Sequence, residues 1–284
     1  MPNQKRSVLI SGCSDGGMGA ALATAFHKAG FHVYATARNP AKMVQLASLG
    51  IETLQLDIQD ESSIAAVVSK LPSLDVLVNN AGNQFLMPVV DTNIAEAKKL
   101  YDLNVWAHVA MIQAFLPLLL KSPHPLIVNQ TSVGASATIP FQAIYNSSKA
   151  ALAMISDSLR LELQPFGVRV VDLRTGVVRT NLIKNLQEKS NPRLPKGSIY
   201  EPAREVVEKA LRQEGFEGQG MPADQWAEAV VRDLQKSSPP PVIWRGESAF
   251  LTRVSTVLPF GIFDGFVKKI AGLDVVEQIV QKRE

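Results

Sequence analysis

Short apolar segments alternate with longer helical patterns over the first two-thirds of this 284-residue chain. Several of these segments are continuous apolar runs, as expected for strands that are buried on both faces of a parallel sheet. The alternation therefore predicts an α/β fold, a doubly wound parallel sheet with helices on both faces. The predicted strands lie at residues 8–10, 32–37, 53–56, 76–78, 126–129 and 168–173, and the predicted helices at 19–29, 40–49, 61–71, 94–120 and 144–163.

The pattern changes after residue 182, where prolines become frequent. Two further helical patterns, at 203–214 and 223–235, precede a last predicted strand at 242–244. Long insertions in compact folds are usually functional, so we interpret this one as a lid. The sequence thus predicts one domain over residues 1–284, with a core at 1–182, a substrate lid at 183–241, and the last strand and tail at 242–284.

Composition excludes several classes of protein. The excess of 29 basic over 26 acidic residues gives a net charge of +3, which is too small for a nucleic-acid-binding surface. A single cysteine, Cys13, excludes an intrachain disulfide and a cysteine-rich metal site and is typical of a reducing compartment. Since neither a signal peptide nor about 18 consecutive apolar residues is evident, we expect a cytoplasmic protein without a spanning helix.

A glycine-rich turn at residues 11–19 joins the first predicted strand to the first predicted helix. Glycines let the backbone turn tightly and approach a pyrophosphate closely, and the helix N-terminus offers free N–H groups to the phosphates. This placement predicts a dinucleotide site. Its members would be Gly12, Ser14, Gly17, Met18 and Gly19.

The end of the second predicted strand indicates which dinucleotide binds. A carboxylate there would bind the ribose 2′-hydroxyl of NAD, whereas an arginine accommodates a 2′-phosphate. This chain has Arg38 at that position, no Asp or Glu beside it, and Lys42 four residues later. The sequence therefore favours NADP(H).

The same turn carries a competing signal. Residues 12–16 match the G-x-S-x-G elbow that presents a nucleophilic serine in lipases and esterases, which would make Ser14 the nucleophile. In those enzymes the elbow follows several strands, but here it follows the first. The four histidines also show no triad pattern. A lipid esterase stays open as an alternative of another class.

A tyrosine, a lysine and a serine form a second constellation. Tyr145 and Lys149 are four residues apart and share one face of a predicted helix. A phenol titrates near 10, but a nearby ammonium and an oxidised nicotinamide would favour the phenolate and lower its pKa. Ser132 follows a predicted strand and can donate a hydrogen bond to a substrate carbonyl oxygen.

These features together resemble the short-chain dehydrogenase/reductase family over nearly the whole chain. The shared motifs are Tyr145-x-x-x-Lys149 with Ser132, Asn79-Asn80-Ala81-Gly82, Asp57-Ile58 and Asn104. The glycine turn is one residue longer than the family's usual pattern, Thr175-Gly176 replaces Pro-Gly, and Ala107 replaces a frequent glycine.

The resemblance implies a Rossmann-like fold and metal-free hydride transfer between a carbonyl and an alcohol carbon. By that similarity Tyr145 donates the proton in reduction and Lys149 lowers its pKa and binds the nicotinamide ribose. Ser132 holds the carbonyl oxygen, and Asn104 anchors a water chain to Lys149. The cofactor contacts implied in addition are Asp57, Ile58, Asn80, Ala81, Gly82, Val178 and Thr180.

Within the family, residues 198–200, 220–224 and 244–246 look like fungal NADPH-dependent 1-acyldihydroxyacetone-phosphate reductases. The region around Ser132 is also similar to 17β-hydroxysteroid and retinol dehydrogenases, and fungal paralogues serve secondary metabolism. The resemblance implies an NADPH-dependent reductase of a hydrophobic ketone, in lipid metabolism or, alternatively, a secondary-metabolite ketone reductase or alcohol dehydrogenase.

Residues 84–87, 137–141 and the insertion are candidate walls of the substrate pocket. An acyl phosphate would require cations at its mouth, and Lys184, Lys189, Arg193 and Lys196 are available, among acidic neighbours.

The apolar tail at 250–266, followed by Lys268 and Lys269, would suit a bilayer or lipid-droplet surface, a cover over the substrate site or a subunit contact. We therefore expect peripheral contact with the endoplasmic reticulum or lipid droplets as well as a cytoplasmic location. The family resemblance further implies a homo-oligomer, assembled through the helices at 94–120 and 144–163.

Overall fold

The computed structural model describes residues 5–282 and contains a seven-stranded parallel sheet in the order β3-β2-β1-β4-β5-β6-β9. Each strand predicted from the sequence is found, so the predicted doubly wound sheet is confirmed. A separate pair, β7 and β8, is also parallel. The strands are β1 Ser7–Ser11, β2 His32–Ala37, β3 Glu52–Gln55, β4 Val76–Asn79, β5 Leu126–Gln130, β6 Arg169–Thr175, β7 Val178–Arg179, β8 Met221–Pro222 and β9 Val242–Arg245.

Twelve α-helices lie in the described part of the chain. They are α1 Met18–Lys28, α2 Val44–Ser48, α3 Glu61–Val68, α4 Ile94–Tyr101, α5 Ala107–Leu119, α6 Ala143–Leu163, α7 Leu182–Asn185, α8 Arg204–Leu211, α9 Ala223–Leu234, α10 Ala249–Ser255, α11 Asp264–Ile270 and α12 Leu273–Gln281. The prediction of one helix over 40–49 is wrong. A 3₁₀ turn at Pro40–Lys42, capped by the Asn39 side chain, precedes α2, and the buried Met43 between them has non-helical backbone angles.

The core consists of two layers, one on each face of the sheet. Successive strand residues point to opposite faces, and so Val8 and Ile10 pack with α1 and α9 while Leu9 packs with α3 and α5. This alternation explains why the strands read as continuous apolar runs, because both faces are covered.

The predicted helix at 94–120 is continuous in the structure but contains a π turn at Asp102–Trp106 between α4 and α5. By length and composition alone, Ile94–Leu119 could also cross a membrane. Half of its most apolar stretch is buried, and Met111, Phe115 and Leu119 lie in the core layer below the sheet. The helix therefore packs as a core helix.

The segment predicted as a lid divides into two parts. Helix α9 belongs to the core, where it packs on α1 through the fully buried Trp226, Ala227 and Val230. The remainder, up to α8, forms a third apolar cluster with the tail helix α12 and with the loop after β4. The assignment of α9 to a lid is thus corrected, and the lid role of the preceding segment stays a prediction.

Candidate active site

Two adjoining cavities lie where the parallel strands end, the place where ligands bind in open α/β sheets. The larger has a volume of about 450 Å³ and the smaller about 230 Å³. Met18, Gly82, Thr180 and Leu182 line both cavities, so together they form one cleft.

The glycine turn closes one side of the larger cavity. Gly12 has a φ of +75°, and a Cβ there would lie 2.8 Å from the Ala81 Cα, so that only glycine fits. Gly17 begins α1 without a side-chain cap, and the first turn of the helix holds no acidic residue. The free N–H groups of that turn are therefore available to an anion.

Gly16 was missed by sequence reasoning. Its φ is also +75°, and a Cβ there would lie 2.2 Å from the Asn181 Nδ2. The extra residue of this turn, relative to the family pattern, lets the turn reach the loop after β7. A count of glycines cannot show this contact, because it depends on a distant loop.

Most predicted cofactor residues line the larger cavity. These are Gly12, Ser14, Gly17, Met18, Arg38, Asp57, Ile58, Asn80, Ala81, Gly82 and Thr180. Val178 lines the smaller cavity, with Tyr145 and Lys149. Gly19 and Asn104 are among the lining residues of neither cavity; Gly19 lies beneath the turn, where a Cβ would come within 2.5 Å of the Gly12 carbonyl oxygen.

Two exposed cations, Arg38 and Lys42, line the larger cavity from the loop that follows β2. Neither has an ion-pair partner among the described residues. Two carboxylates line the same cavity: Asp15 accepts a hydrogen bond from the Gln45 N–H and Asp57 from the Gln59 N–H. Neither carboxylate forms an ion pair with Arg38 or Lys42, so these two cations are available to an anion.

Ser132, Tyr145 and Lys149 meet in the smaller cavity. Ser132 lies two residues past β5 and begins a 3₁₀ turn, where its Oγ accepts the Gly134 N–H at 3.1 Å. Tyr145 and Lys149 face the cavity from the first two turns of α6. The structure therefore brings together the three residues that the sequence singled out.

The lysine is buried, and its ammonium Nζ donates to the Gln130 carbonyl at 2.9 Å. Burial lowers the pKa of Lys149 to about 8, while the Asp172 carboxylate acts in the opposite direction. Burial raises the pKa of Tyr145, and its hydrogen bond to Ser132 opposes that rise. In the protein alone burial is the larger of these two effects on the Tyr145 pKa. The predicted lowering by Lys149 together with an oxidised nicotinamide stays a prediction.

Asn104 lies in the π turn, a deviation that often marks functional positions in helices. Its side chain accepts the Asn83 N–H at 3.0 Å and donates to the Asn83 carbonyl at 2.9 Å and to Ser148 Oγ at 3.1 Å. It therefore clamps the loop after β4. Its part in a water chain to Lys149 stays a prediction.

Sequence reasoning missed a polar network beside Ser132. The buried Asp172 carboxylate accepts hydrogen bonds from Thr131 Oγ1 and, at 2.7 Å, from Arg174 Nε. Arg174 also donates to Ser136 Oγ at 2.8 Å and lies over the Trp244 ring. The network holds residues on both sides of Ser132. An acidic residue inside a central strand is the only signal of it that the sequence offers.

The predicted walls of the substrate pocket are partly corrected. Gln84, Ile139 and Ile183 line the smaller cavity, whereas Leu86 and Phe141 pack away from it in the third apolar cluster. Both side chains pack instead against α8 and the segment that precedes it.

None of the cations predicted for an acyl phosphate is among the residues that line the cavity. Lys184 pairs with Glu188 at 3.9 Å, and the side chain of Lys189 lies outside the described residues. The exposed cation at the rim is instead Arg179, which has no ion-pair partner among residues 5–282.

The esterase alternative lacks its base. Ser14 lines the larger cavity, but no histidine is among the lining residues of either cavity. The buried His108 is close to the Ala81 carbonyl, with its Nε2 at 2.7 Å, and burial lowers its pKa to about 3. The G-x-S-x-G match in the turn is therefore not part of a triad.

Comparison with known proteins agrees with this geometry. The family model for short chain dehydrogenases matches residues 6–191. A short-chain dehydrogenase/reductase of Pestalotiopsis microspora is 53% identical over 281 residues, 99% of each chain. The NADPH-dependent 1-acyldihydroxyacetone phosphate reductase of Schizosaccharomyces pombe is 36% identical over 286 residues, 95% of each chain.

Solved structures show the same fold. A short-chain dehydrogenase from Streptomyces avermitilis superposes with a TM-score of 0.74 and 25% identity, covering 98% of this chain and 99% of its own. One from Burkholderia cenocepacia in complex with NADP has a TM-score of 0.67 and 22% identity, covering 90% and 94%. The fold, the serine, tyrosine and lysine in the cleft, and these relatives lead to one conclusion: the chain belongs to the short-chain dehydrogenase/reductase family and is an oxidoreductase.

Proposed function

We propose that this chain is an NADPH-dependent reductase that converts a hydrophobic ketone to an alcohol. The observation that carries the proposal is the single cleft, in which Ser132, Tyr145 and Lys149 lie at one end and Arg38 and Lys42 at the other. The relatives support it, since one is named as an NADPH-dependent reductase and a structural neighbour was solved with NADP.

The residues of the larger cavity fit NADP(H). The free N–H groups at the start of α1 suit the pyrophosphate. Gly12 packs closely on Ala81, so no side chain occupies that part of the turn. Arg38 and Lys42 suit the 2′-phosphate, and Asp57 and Ile58 line the same cavity. When bound, the reduced cofactor supplies the hydride.

The protein's own residues supply the proton and hold the carbonyl. Ser132 Oγ accepts the Gly134 N–H and hydrogen-bonds with the Tyr145 phenol, and a substrate carbonyl oxygen would accept the Ser132 O–H in place of the phenol. The raised pKa of Tyr145 keeps the phenol protonated near neutral pH, which suits a proton donor in reduction. Lys149 provides a positive charge in the same cavity for the phenolate left behind.

The substrate is a ketone with an apolar body, of which an acyl-dihydroxyacetone phosphate-like lipid is one example. Val133, Ile139, Val177 and Ile183 form the apolar part of the smaller cavity, and Arg179 lies at its rim, where it suits an anionic group. The Schizosaccharomyces pombe relative supports a role in lipid metabolism.

A binding titration with NADPH and NADH tests the cofactor assignment. We expect Arg38→Ala to weaken NADPH by about 10- to 100-fold and to leave NADH unchanged, because only NADPH carries the phosphate. Arg232→Ala, which removes an exposed arginine from α9, is the matched control. If wild-type protein binds neither nucleotide, the reductase assignment is wrong.

We also propose that the protein is cytoplasmic and that its tail binds peripherally to the surface of the endoplasmic reticulum or of lipid droplets. Its side chains form an exposed apolar ridge, with Phe250 78%, Val257 82% and Phe260 99% exposed. Isolated exposed apolar residues are ordinary, but such a cluster points to an interaction surface. The exposed Lys268 and Lys269 of α11 complement anionic lipid headgroups.

Flotation with phosphatidylcholine vesicles, with and without phosphatidylserine, tests the ridge. The full chain should float with the anionic vesicles, Phe260→Ser should reduce this severalfold, and Phe166→Ser, at an exposed phenylalanine outside the tail, should not. A wild-type protein that stays in the soluble fraction refutes membrane binding. If wild type does not float but is a dimer, and Phe260→Ser dissociates that dimer, the ridge binds a second copy of the chain instead.

For the oligomer we propose the face formed by α5 and α6 and the π turn, where Trp106, Met154 and Leu161 are exposed. Light scattering on wild type and Met154→Glu tests it. A monomeric wild type contradicts the proposal.

A further inference from the structure

The smaller cavity holds more amide groups than the proposed chemistry uses. Five glutamines line it: Gln84, Gln130, Gln142, Gln213 and Gln219. Two of them donate a hydrogen bond within the protein: Gln130 Nε2 to Thr175 Oγ1 at 3.1 Å, while its buried Oε1 accepts from no described atom, and Gln219 Nε2 to the Gly215 carbonyl at 2.6 Å. The side-chain amides of the other three have no hydrogen-bond partner among residues 5–282.

Gln84 is the most informative of the three. Its Nε2 is buried yet donates to no atom of the described chain. A buried donor without an acceptor costs free energy, and in native structures such groups are few.

The backbone that carries Gln84 is fixed. Asn104 binds both the N–H and the carbonyl of Asn83, and the Gln84 N–H donates to the Asn83 side chain at 2.9 Å. The loop is thus held by a residue of the π turn. The backbone of Gln84 is therefore held in one position at the wall of the cavity.

The two other unpartnered glutamines sit on irregular backbone. Gln213 has a φ of +51°, a left-handed conformation that non-glycine residues rarely adopt. Gln142 follows Phe141, whose φ is +64°, and precedes α6. Strained residues cluster at ligand sites, and these two glutamines both border the cavity that contains Tyr145.

We infer that the substrate carries a second oxygen besides the reacting carbonyl, and that the Gln84 amide donates a hydrogen bond to it. The inference rests on the proposed reductase function and specifies its substrate class: an oxygenated ketone, with an ester, keto or hydroxyl oxygen. Ser132 and Gln84 line the same cavity of about 230 Å³, so a molecule bound there can contact both side chains. The apolar walls then hold the hydrocarbon part.

The test uses ethyl acetoacetate and 2-heptanone, two ketones whose main chains are both seven non-hydrogen atoms long, and follows NADPH oxidation. The readout is the ratio of kcat/KM for the two ketones, compared between variants so that their intrinsic reactivities cancel. Gln84→Met should lower the ratio about tenfold, through loss on the ester and not on 2-heptanone. Gln84→Glu, which replaces the donor by an acceptor, should lower it at least as much.

Gln219→Met is the matched control, since that glutamine lines the same cavity with its amide already engaged, and its ratio should equal the wild-type ratio. NADPH binding by each variant reports folding. If Gln84→Met and Gln84→Glu bind NADPH and leave the ratio unchanged, the inference is wrong while the reductase stands. If wild type binds no NADPH, the proposed function itself fails.

Discussion

Replacing the buried lysine of the active site should change how the stability of the protein depends on pH. The ammonium of Lys149 is desolvated, and this holds its pKa at about 8 in the folded protein, against 10.5 for the exposed group. The unfolded chain therefore binds the proton more tightly than the folded chain does. Folding stability contributed by this residue is lost as the pH falls from about 10.5 to about 8.

The size of the effect follows from the two pKa values. With one pKa unit equivalent to about 1.4 kcal/mol, wild type should gain about 2 kcal/mol in free energy of unfolding between about pH 7 and pH 9.5, relative to Lys149→Met. Near pH 7 the variant is relieved of the net cost of keeping this lysine charged in the fold, roughly 3 kcal/mol. It loses about 1 kcal/mol because the Gln130 carbonyl loses its donor, so it should be the more stable protein.

Urea unfolding of the cofactor-free protein, followed by circular dichroism at several pH values, measures this difference. The comparison with Lys149→Met removes the titration of other groups, and Lys98→Met controls for the loss of an exposed lysine from α4. A wild-type-minus-variant difference that is constant from pH 7 to 9.5 would refute the argument. So would a variant that is less stable than wild type at pH 7.

Three further outcomes are expected. Tyr145→Phe should lower ketone reduction by about 10³-fold or more with NADPH binding retained, because we propose the phenol as the proton donor, whereas Ser14→Ala should keep the chemistry; steady-state kinetics and titration decide both. Asp172→Asn removes a carboxylate that raises the Lys149 pKa, so the limb of the pH–rate profile governed by that lysine should move to lower pH; an unmoved limb contradicts this. Trp226→Ala should cost about 3–5 kcal/mol in the free energy of unfolding, measured with urea, because its ring fills the layer between α9 and α1; a loss below about 1 kcal/mol would contradict that packing.

The sheet could be predicted from the sequence because its strands are buried on both faces. Runs such as Val8-Leu9-Ile10 favour a strand that is buried on both faces, and each predicted run is a strand of the sheet. The break at Met43 could not be predicted, because a helical hydrophobic pattern continues through it and only the burial of its side chain explains the turn.

The site was predictable where residues close in sequence act together. Tyr145 and Lys149 share a helix face, and Ser132 follows the neighbouring strand. The Asp172 network and the unpartnered Gln84 depend on side chains from segments far apart in the chain. Burial raises the pKa of Tyr145 in the protein alone, an effect that spacing does not show. The predicted lowering of that pKa beside Lys149 and an oxidised nicotinamide stays a prediction.

The π turn at Asp102–Trp106 also bears on how the length of this chain can change. A π turn holds one residue more than an α-helical turn, so deleting one residue there would let α4 and α5 join as one regular α-helix close to their present orientation. Met111 and Phe115 would keep their places in the core, whereas Asn104 would lose its position against Asn83. A one-residue deletion in this segment therefore separates the fold from the clamp on the loop after β4, whereas a deletion elsewhere in the helix would rotate its core face by about 100°.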